Sequence, residues 1–341
     1  MAFSKIYDED RLASSIYLGL LSINSIKSQE YASQKEYFEN IGYEYGGIAA
    51  WQFMTFVYDG CLRNKIKDIA FLSWSGVTLK KVFDLFDCRN LNSNCVRAPE
   101  ALSSVILPQE GSDCDDLIEA LIRHCHDAGS TKDSKHYKSL AGSSSEHVKI
   151  EKENISLLAK ADYQAYLSQF NYSSPKLAVV DLSDRLPAAQ RLFEKMYPEK
   201  KITGYCWRRN SGTKGDISAF DRAGESFGIL EPWAFMEFLF SAPECRVKDI
   251  FHGRPVYGSE SSRDEKYRAA VSTYITEGIV KFVQDVKRIF GESDISFSPL
   301  MTSLLIQTLC RNPSAEDRKF MRDLCFRNGC DGKYKRLFRL W

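Results

Sequence analysis

Leu177-Ala178-Val179-Val180-Asp181-Leu182 is an aliphatic run interrupted by a single aspartate near its end. Its apolar positions do not alternate with polar ones, which suits a strand buried on both faces rather than one with a solvated side. Leu186 to Met196 supplies a helix directly downstream. The same unit occurs earlier in the chain. Ile69-Ala70-Phe71-Leu72 reads as a buried strand, Ser73-Trp74-Ser75-Gly76 as a tight turn, and Val77 to Phe86 as an amphipathic helix with apolar residues at Val77, Leu79, Val82, Phe83 and Phe86. Ile202-Thr203-Gly204-Tyr205-Cys206-Trp207 is a third strand, and Asn94 to Arg97 a short one. Alternating strands and helices with apolar strands predict an α/β fold, a mainly parallel sheet with helices on both faces. Ligands of such sheets gather at the C-terminal strand ends. Here those ends are Ser73 to Gly76, Arg97 to Pro99 and Asp181 to Leu186.

Outward from these units, Gly46-Gly47 opens an apolar helix through Trp51, Phe53, Phe56 and Val57 to about Leu62, behind a weakly helical lead-in at Ile16, Leu20 and Ile23. A helix is expected from Asp115 to His124 and another from Ile150 to Tyr166. Between them Ala128 to His147 is rich in Ser and poor in large aliphatics, so a surface loop or boundary is expected over 128–150. That boundary would separate an N-terminal α/β half, 1–127, from a second half, 151–341, with a helical C-terminal portion. Arg208 to Gly228 is polar and glycine-containing and reads as a long loop. From Glu231 onward helices dominate the reading, notably Arg263 to Phe290 and Ala315 to Phe326, the latter started by Asn312-Pro313-Ser314.

With 341 residues and 44% hydrophobic content, the chain can bury a large core and is not a disordered chain. Lys plus Arg (46) nearly balance Asp plus Glu (45). The net charge of +1 therefore creates no global field, and no nucleic-acid partner is expected. Asp8, Glu9 and Asp10 precede the first apolar run, opposite to the positive start of a secretory signal. Ile48 to Val57 and Ile229 to Phe240 are too short or too interrupted to span a bilayer, which takes about 20 helical residues. Ten irregularly spaced cysteines fit reduced thiols rather than a disulfide framework. A soluble, cytoplasmic protein is the expectation.

A further set of short motifs recurs in order: Gly42-Tyr43 to Gly47, Phe71-Leu72-Ser73, Gly76, Arg97, Val179-Val180-Asp181, Gly204-Tyr205, Glu237 to Pro243, Gly278-Ile279 and Asn312-Pro313. In that order they resemble the C-terminal region of bacterial capsule and O-antigen cluster proteins named HAD-like hydrolases, over roughly residues 42 to 325. The resemblance implies surface-polysaccharide biosynthesis and the handling of anions by glycine-rich turns at helix N-termini. This sequence departs from the family pattern at both turns. Trp74 and Ser75 stand where the family has Arg-Asp, and Leu182-Ser183-Asp184-Arg185-Leu186-Pro187 lacks the two glycines of the later turn. The family's double-Asp phosphatase motif has no counterpart here. The order is also similar to type I phosphoribosyltransferases, whose phosphate loop requires small residues that Leu186 and Pro187 do not supply.

Asp181 is the first candidate catalytic residue, as a metal-bridging or hydroxyl-binding carboxylate, with a helix cap as the alternative. Arg97, Trp74, Ser75, Gly76, Asp184 and Arg185 are candidate ligand-binding residues: Arg97 as a planar cation for phosphate, Trp74 as a stacking surface. Cys114, His124, Cys125 and His126 lack the spacing of a zinc site, as do Cys325 and Cys330, so no metal is assigned and no cofactor is named. The tail Gly332 to Trp341 interleaves cations with apolar residues, compatible with weak contact to an anionic membrane or with docking on the protein's own core. The expected function is that of an accessory or divergent transferase-like protein of polysaccharide assembly. Its expected partners are an anionic sugar derivative or other assembly proteins. A catalytically silent interaction module and a sugar-nucleotide glycosyltransferase are the alternatives.

Overall fold

Strands that bury both faces must find helices for each face, and the chain does so by alternating the two kinds of element. A computed structural model describes residues 15–21, 31–107 apart from 87 and 89, 145–182, 186–208, 215–221, 230–258, 263–291, 297, 299–327 and 334–336. The order begins with α1 (15–21), α2 (Gln34–Ile41), a π-helical turn (Gly42–Gly46), α3 (Gly47–Asn64), β1 (Asp68–Leu72), α4 (Ser73–Phe83), β2 (Asn92–Val96) and α5 (Glu100–Ile106). It continues with α6 (Ser145–Leu167), β3 (Lys176–Asp181), α7 (Leu186–Met196), β4 (Lys201–Arg208) and β5 (Ile217–Asp221). Then come α8 (Leu230–Leu239), β6 (Val247–Phe251), β7 (Arg254–Tyr257), α9 (Arg263–Phe290), α10 (Pro299–Arg311), α11 (Ala315–Met321), β8 (Cys325–Arg327) and β9 (Tyr334–Arg336).

β1 to β5 form one parallel sheet in the order β2-β1-β3-β4-β5. Alternate residues of each strand serve different cores. Ile69, Phe71, Ala178 and Val180 pack with α1 to α4 and α8 to α11, whereas Ala70, Leu72, Leu177 and Val179 pack with α5, α6 and α7. Every residue of β1 is buried, as are Leu177 to Asp181 of β3. Each fully buried Val or Leu side chain contributes roughly 1.5–3 kcal/mol, so this central pair is where substitution costs most. The sheet takes β1 and β2 from before the Ser-rich stretch and β3 to β5 from after it.

Several boundaries differ from the sequence reading. Ser73 to Gly76 is not a turn preceding a helix but the first turn of α4, with Leu72 extended at its N-cap. Gly76 makes this abrupt start possible, since a Cβ there would lie 2.7 Å from the Phe71 carbonyl carbon. α4 also ends at Phe83 rather than Phe86. The region read as a loop over 208–228 contains β5, a short edge strand with alternating burial that needs few apolar residues. Eight residues separate β4 from β5, fewer than a usual parallel crossover. They suffice because Ile217 pairs with Gly204, so the chain retraces only about four residues of strand length. The C-terminal portion, read as mainly helical, also holds the β6–β7 and β8–β9 hairpins. β6 and β7 join through His252 and Gly253 at φ 47° and 69°, the twist a two-residue hairpin requires. The helix expected to Phe326 stops at Met321. Residues 115–124 and 128–144 lie outside the described residues, and α6 begins at Ser145.

α9 is the long element of the larger core and crosses α2 and the π-helical turn at backbone contact. A Cβ on Gly278 would lie 1.9 Å from the Glu39 carbonyl oxygen, and one on Gly42 would lie 2.1 Å from that of Ile275. This contact fixes α9 against α2 and the π-helical turn, and Arg268 near its N-terminal end lies over Trp74, in the first turn of α4. Among the described residues no helix is long and apolar enough to cross a membrane.

Candidate functional site

From β1 the chain moves to β2 on one side of the sheet, while β3 lies on the other side of β1. α4, after β1, packs on one face; α5 and α6, after β2, pack on the opposite face. The connections therefore diverge at the C-terminal ends of β1 and β3, the position where open α/β sheets bind ligands. Ser75, in the first turn of α4, donates from its hydroxyl to Asp181 Oδ1 at 2.9 Å. Both residues are buried. The hydrogen bond spans the divergence between the two strands. Backbone N–H groups of the first turn of α4 are directed toward the same edge, a favourable place for an anion.

Arg97 follows β2 by one residue and is fixed through its backbone. Its N–H donates to Tyr166 Oη at 2.9 Å, and Tyr163 Oη donates to its carbonyl at 3.1 Å. Burial raises both phenols: Tyr163 well above its ordinary range, and Tyr166 to about 12, with the Arg97 N–H and charge opposing part of the rise. The guanidinium of Arg97 forms an ion pair with Glu244. Cys95, in β2, has its thiol raised, chiefly by burial, so it is disfavoured as a thiolate nucleophile.

Trp74 sits beside this pair. Its Nε1 donates to the Glu244 carbonyl at 2.8 Å, and the guanidinium carbons of Arg246 and Arg268 lie 4.3 and 4.1 Å from its ring centroid. A sugar or base stacking on this indole competes with guanidinium contacts already made. Arg268 is fully buried and pairs with Glu265 through Nε and Nη2 at 3.0 and 2.7 Å. It also donates to the carbonyls of Ala242 and Glu244 at 2.7 and 2.8 Å and to Ser272 Oγ at 3.1 Å. One buried cation thus holds the segment that follows α8. Farther along the edge Asp221 is buried at the end of β5, in register with Arg208.

The structure brings Ser75, Gly76 and Asp181 together and places Trp74 and Arg97 in contact with one residue, Glu244. Asp184 and Arg185 lie outside the described residues. Glu244, Arg246, Glu265 and Arg268 were not singled out by the sequence reading. Their one signal is spacing: Glu265, Arg268 and Ser272 recur at three and four residues on the helix face that carries Val271, Ile275 and Ile279, and charges on an apolar face must be paired. Among the described residues no group of three His, Cys, Asp or Glu is arranged to hold a metal ion. Cys114, His124, Cys125, His126 and Cys330 are outside the described residues; of the tail, only Tyr334 to Arg336 is described, as β9. No protein-family model matches the chain, and no curated protein matches it.

Proposed function

We propose that the chain binds an anionic sugar derivative, a phosphorylated sugar or a sugar nucleotide, at the ends of β1 and β3. The reading rests on one observation: Ser75 and Asp181 are hydrogen-bonded across the point where the sheet's connections diverge. A carboxylate at that point orients a hydroxyl, the first turn of α4 offers N–H groups, and Arg97 supplies a planar cation at the next strand end. The sequence's resemblance to polysaccharide-cluster proteins supports a role as an accessory or divergent transferase-like protein of bacterial surface-polysaccharide assembly. A sugar-nucleotide glycosyltransferase is the enzymatic alternative to that role.

A second reading, a catalytically silent interaction module, is favoured by the pairing of Arg97 with Glu244 and by the guanidinium contacts on Trp74. These contacts complete the edge without a ligand. A thermal-shift screen with nucleotides, sugar nucleotides and sugar phosphates separates the two readings. A ligand present at a hundred times its Kd adds about 2.7 kcal/mol of stability. Stabilisation by one class of anionic sugar supports the binding reading, whereas none across all classes leaves the interaction module.

A further inference from the structure

We infer that Tyr166 is a further ligand-binding residue at this edge of the sheet, donating its phenolic proton to an uncharged oxygen of the sugar at the end of β2. The inference rests on the binding reading above and names the group that recognises the sugar rather than its phosphate.

Two phenols of α6 hold the backbone of one residue, and they use their protons differently. Tyr163 Oη donates to the Arg97 carbonyl at 3.1 Å, so its hydrogen is committed. Tyr166 Oη accepts from the Arg97 N–H at 2.9 Å, and its own hydrogen has no acceptor among the described residues. Tyr166 is only 4% exposed. Accepting from Arg97 accounts for the oxygen at this position but does not dispose of the hydrogen, and a buried donor left without an acceptor is costly. The accepted N–H also polarises the phenol and makes its O–H the stronger donor.

The hydroxyl stands at the edge where the ligand is placed. Leu72 and Val96 are in register at the ends of β1 and β2, so Arg97 follows β2 at the level where Ser73 opens α4, one strand away. Tyr166 reaches that level from the face opposite α4. The β6–β7 hairpin backs it: a Cβ on Gly253 would lie 3.4 Å from the backbone of Ala165 and Tyr166, and Gln169 Nε2 donates to the Gly253 carbonyl at 2.6 Å. The phenol is thus held both through its helix and through its oxygen. The first turn of α4 suits the charge of a phosphate, whereas a neutral phenol suits a sugar hydroxyl or ring oxygen. Only the peptide of Arg97 takes part, so nothing here depends on its guanidinium.

Calorimetric titration of UDP-glucose, glucose 1-phosphate and inorganic pyrophosphate into the full chain, Tyr166→Phe and Tyr163→Phe provides the test. Tyr166→Phe is expected to weaken the two sugar-bearing probes about two- to tenfold, the effect of one neutral hydrogen bond, and to leave pyrophosphate unchanged. Tyr163→Phe removes an anchor of the same peptide and no ligand contact, so it is expected to change all three probes by one common factor. An equal change of the three probes in Tyr166→Phe, or a change in none, overturns the inference and leaves the site, since the phenol then only holds Arg97. Wild type that binds pyrophosphate alone does the same. Failure of the wild type to bind any of the three overturns the inference together with the binding reading. If Tyr166→Phe does not fold, 3-fluorotyrosine at position 166 of the full chain decides: its fluorine resonance is expected to move with glucose 1-phosphate and not with pyrophosphate. A resonance moved by neither, or by both alike, overturns the inference.

Discussion

Two arginine–glutamate pairs touch the same short segment after α8, one fully buried and the other only partly so. Arg268 and Glu265 are 0% and 6% exposed, three residues apart on α9, with the guanidinium satisfied further by two carbonyls and a serine hydroxyl. Arg97 and Glu244 come from distant parts of the chain and meet at the rim of the sheet, partly open to water. The chemistry of the two pairs is identical, and their environments differ. Removing one member of a buried pair costs more than removing one member of a partly hydrated pair, whose remaining charge regains some water. The first pair holds the segment after α8 from beneath, and the second ties that segment to the end of β2.

That contrast is most open to attack at Arg268. Arg268→Ala removes the cation paired with buried Glu265 and releases the carbonyls of Ala242 and Glu244, and is expected to cost about 3–5 kcal/mol in denaturant unfolding. A loss below about 1 kcal/mol would remove the distinction between anchor and rim. Ser75→Ala takes a donor from the buried Asp181 and is expected to cost about 1.5–3 kcal/mol, as for a hydrogen bond to a charged group; stability equal to wild type would mean that the pair across β1 and β3 is not maintained in solution.

The rim can also be probed by pH. Burial raises Tyr166 from 10.0 to about 12 in the folded chain. Its contribution is intact below pH 10, where the unfolded chain also keeps the proton, and disappears as the pH rises through 12. Wild type should therefore lose about 2 kcal/mol at most relative to Tyr166→Phe between pH 9.5 and 12. Parallel stability curves for the two proteins would contradict the assignment. The smallest effect belongs to Glu244→Gln, whose stability should change by less than about 1 kcal/mol; a change as large as that of Arg268→Ala would make the rim pair structural too.

Strong apolar runs made the centre of the sheet legible. Leu177 to Val180 and Ile69 to Leu72 have no polar gap, and a strand buried on both faces needs none. β5 was hidden because an edge strand with alternating burial asks for only Ile217, Ala219 and one aromatic neighbour, and these lie in a polar stretch. The start of α4 reads as a turn in the sequence because two serines and a glycine within four residues favour turns. The close approach of Gly76 to Phe71, a tertiary fact, allows the helix to begin at once. Asp181 and Ser75 could be nominated because each follows or ends an apolar strand. Arg268 could not be, since a buried cation looks like a surface one until its glutamate, serine and carbonyl partners are brought to it by folding.

The most direct measurement is calorimetric titration of the best-stabilising sugar phosphate or sugar nucleotide into wild type, Arg97→Ala and Ser75→Ala, with folding of each verified by circular dichroism. The account predicts that Arg97→Ala weakens binding by about 1.5–3 kcal/mol, tenfold or more, and that Ser75→Ala weakens it as well. Affinity unchanged in both variants, with the fold intact, would contradict it and remove the ends of β1 and β3 as the binding site.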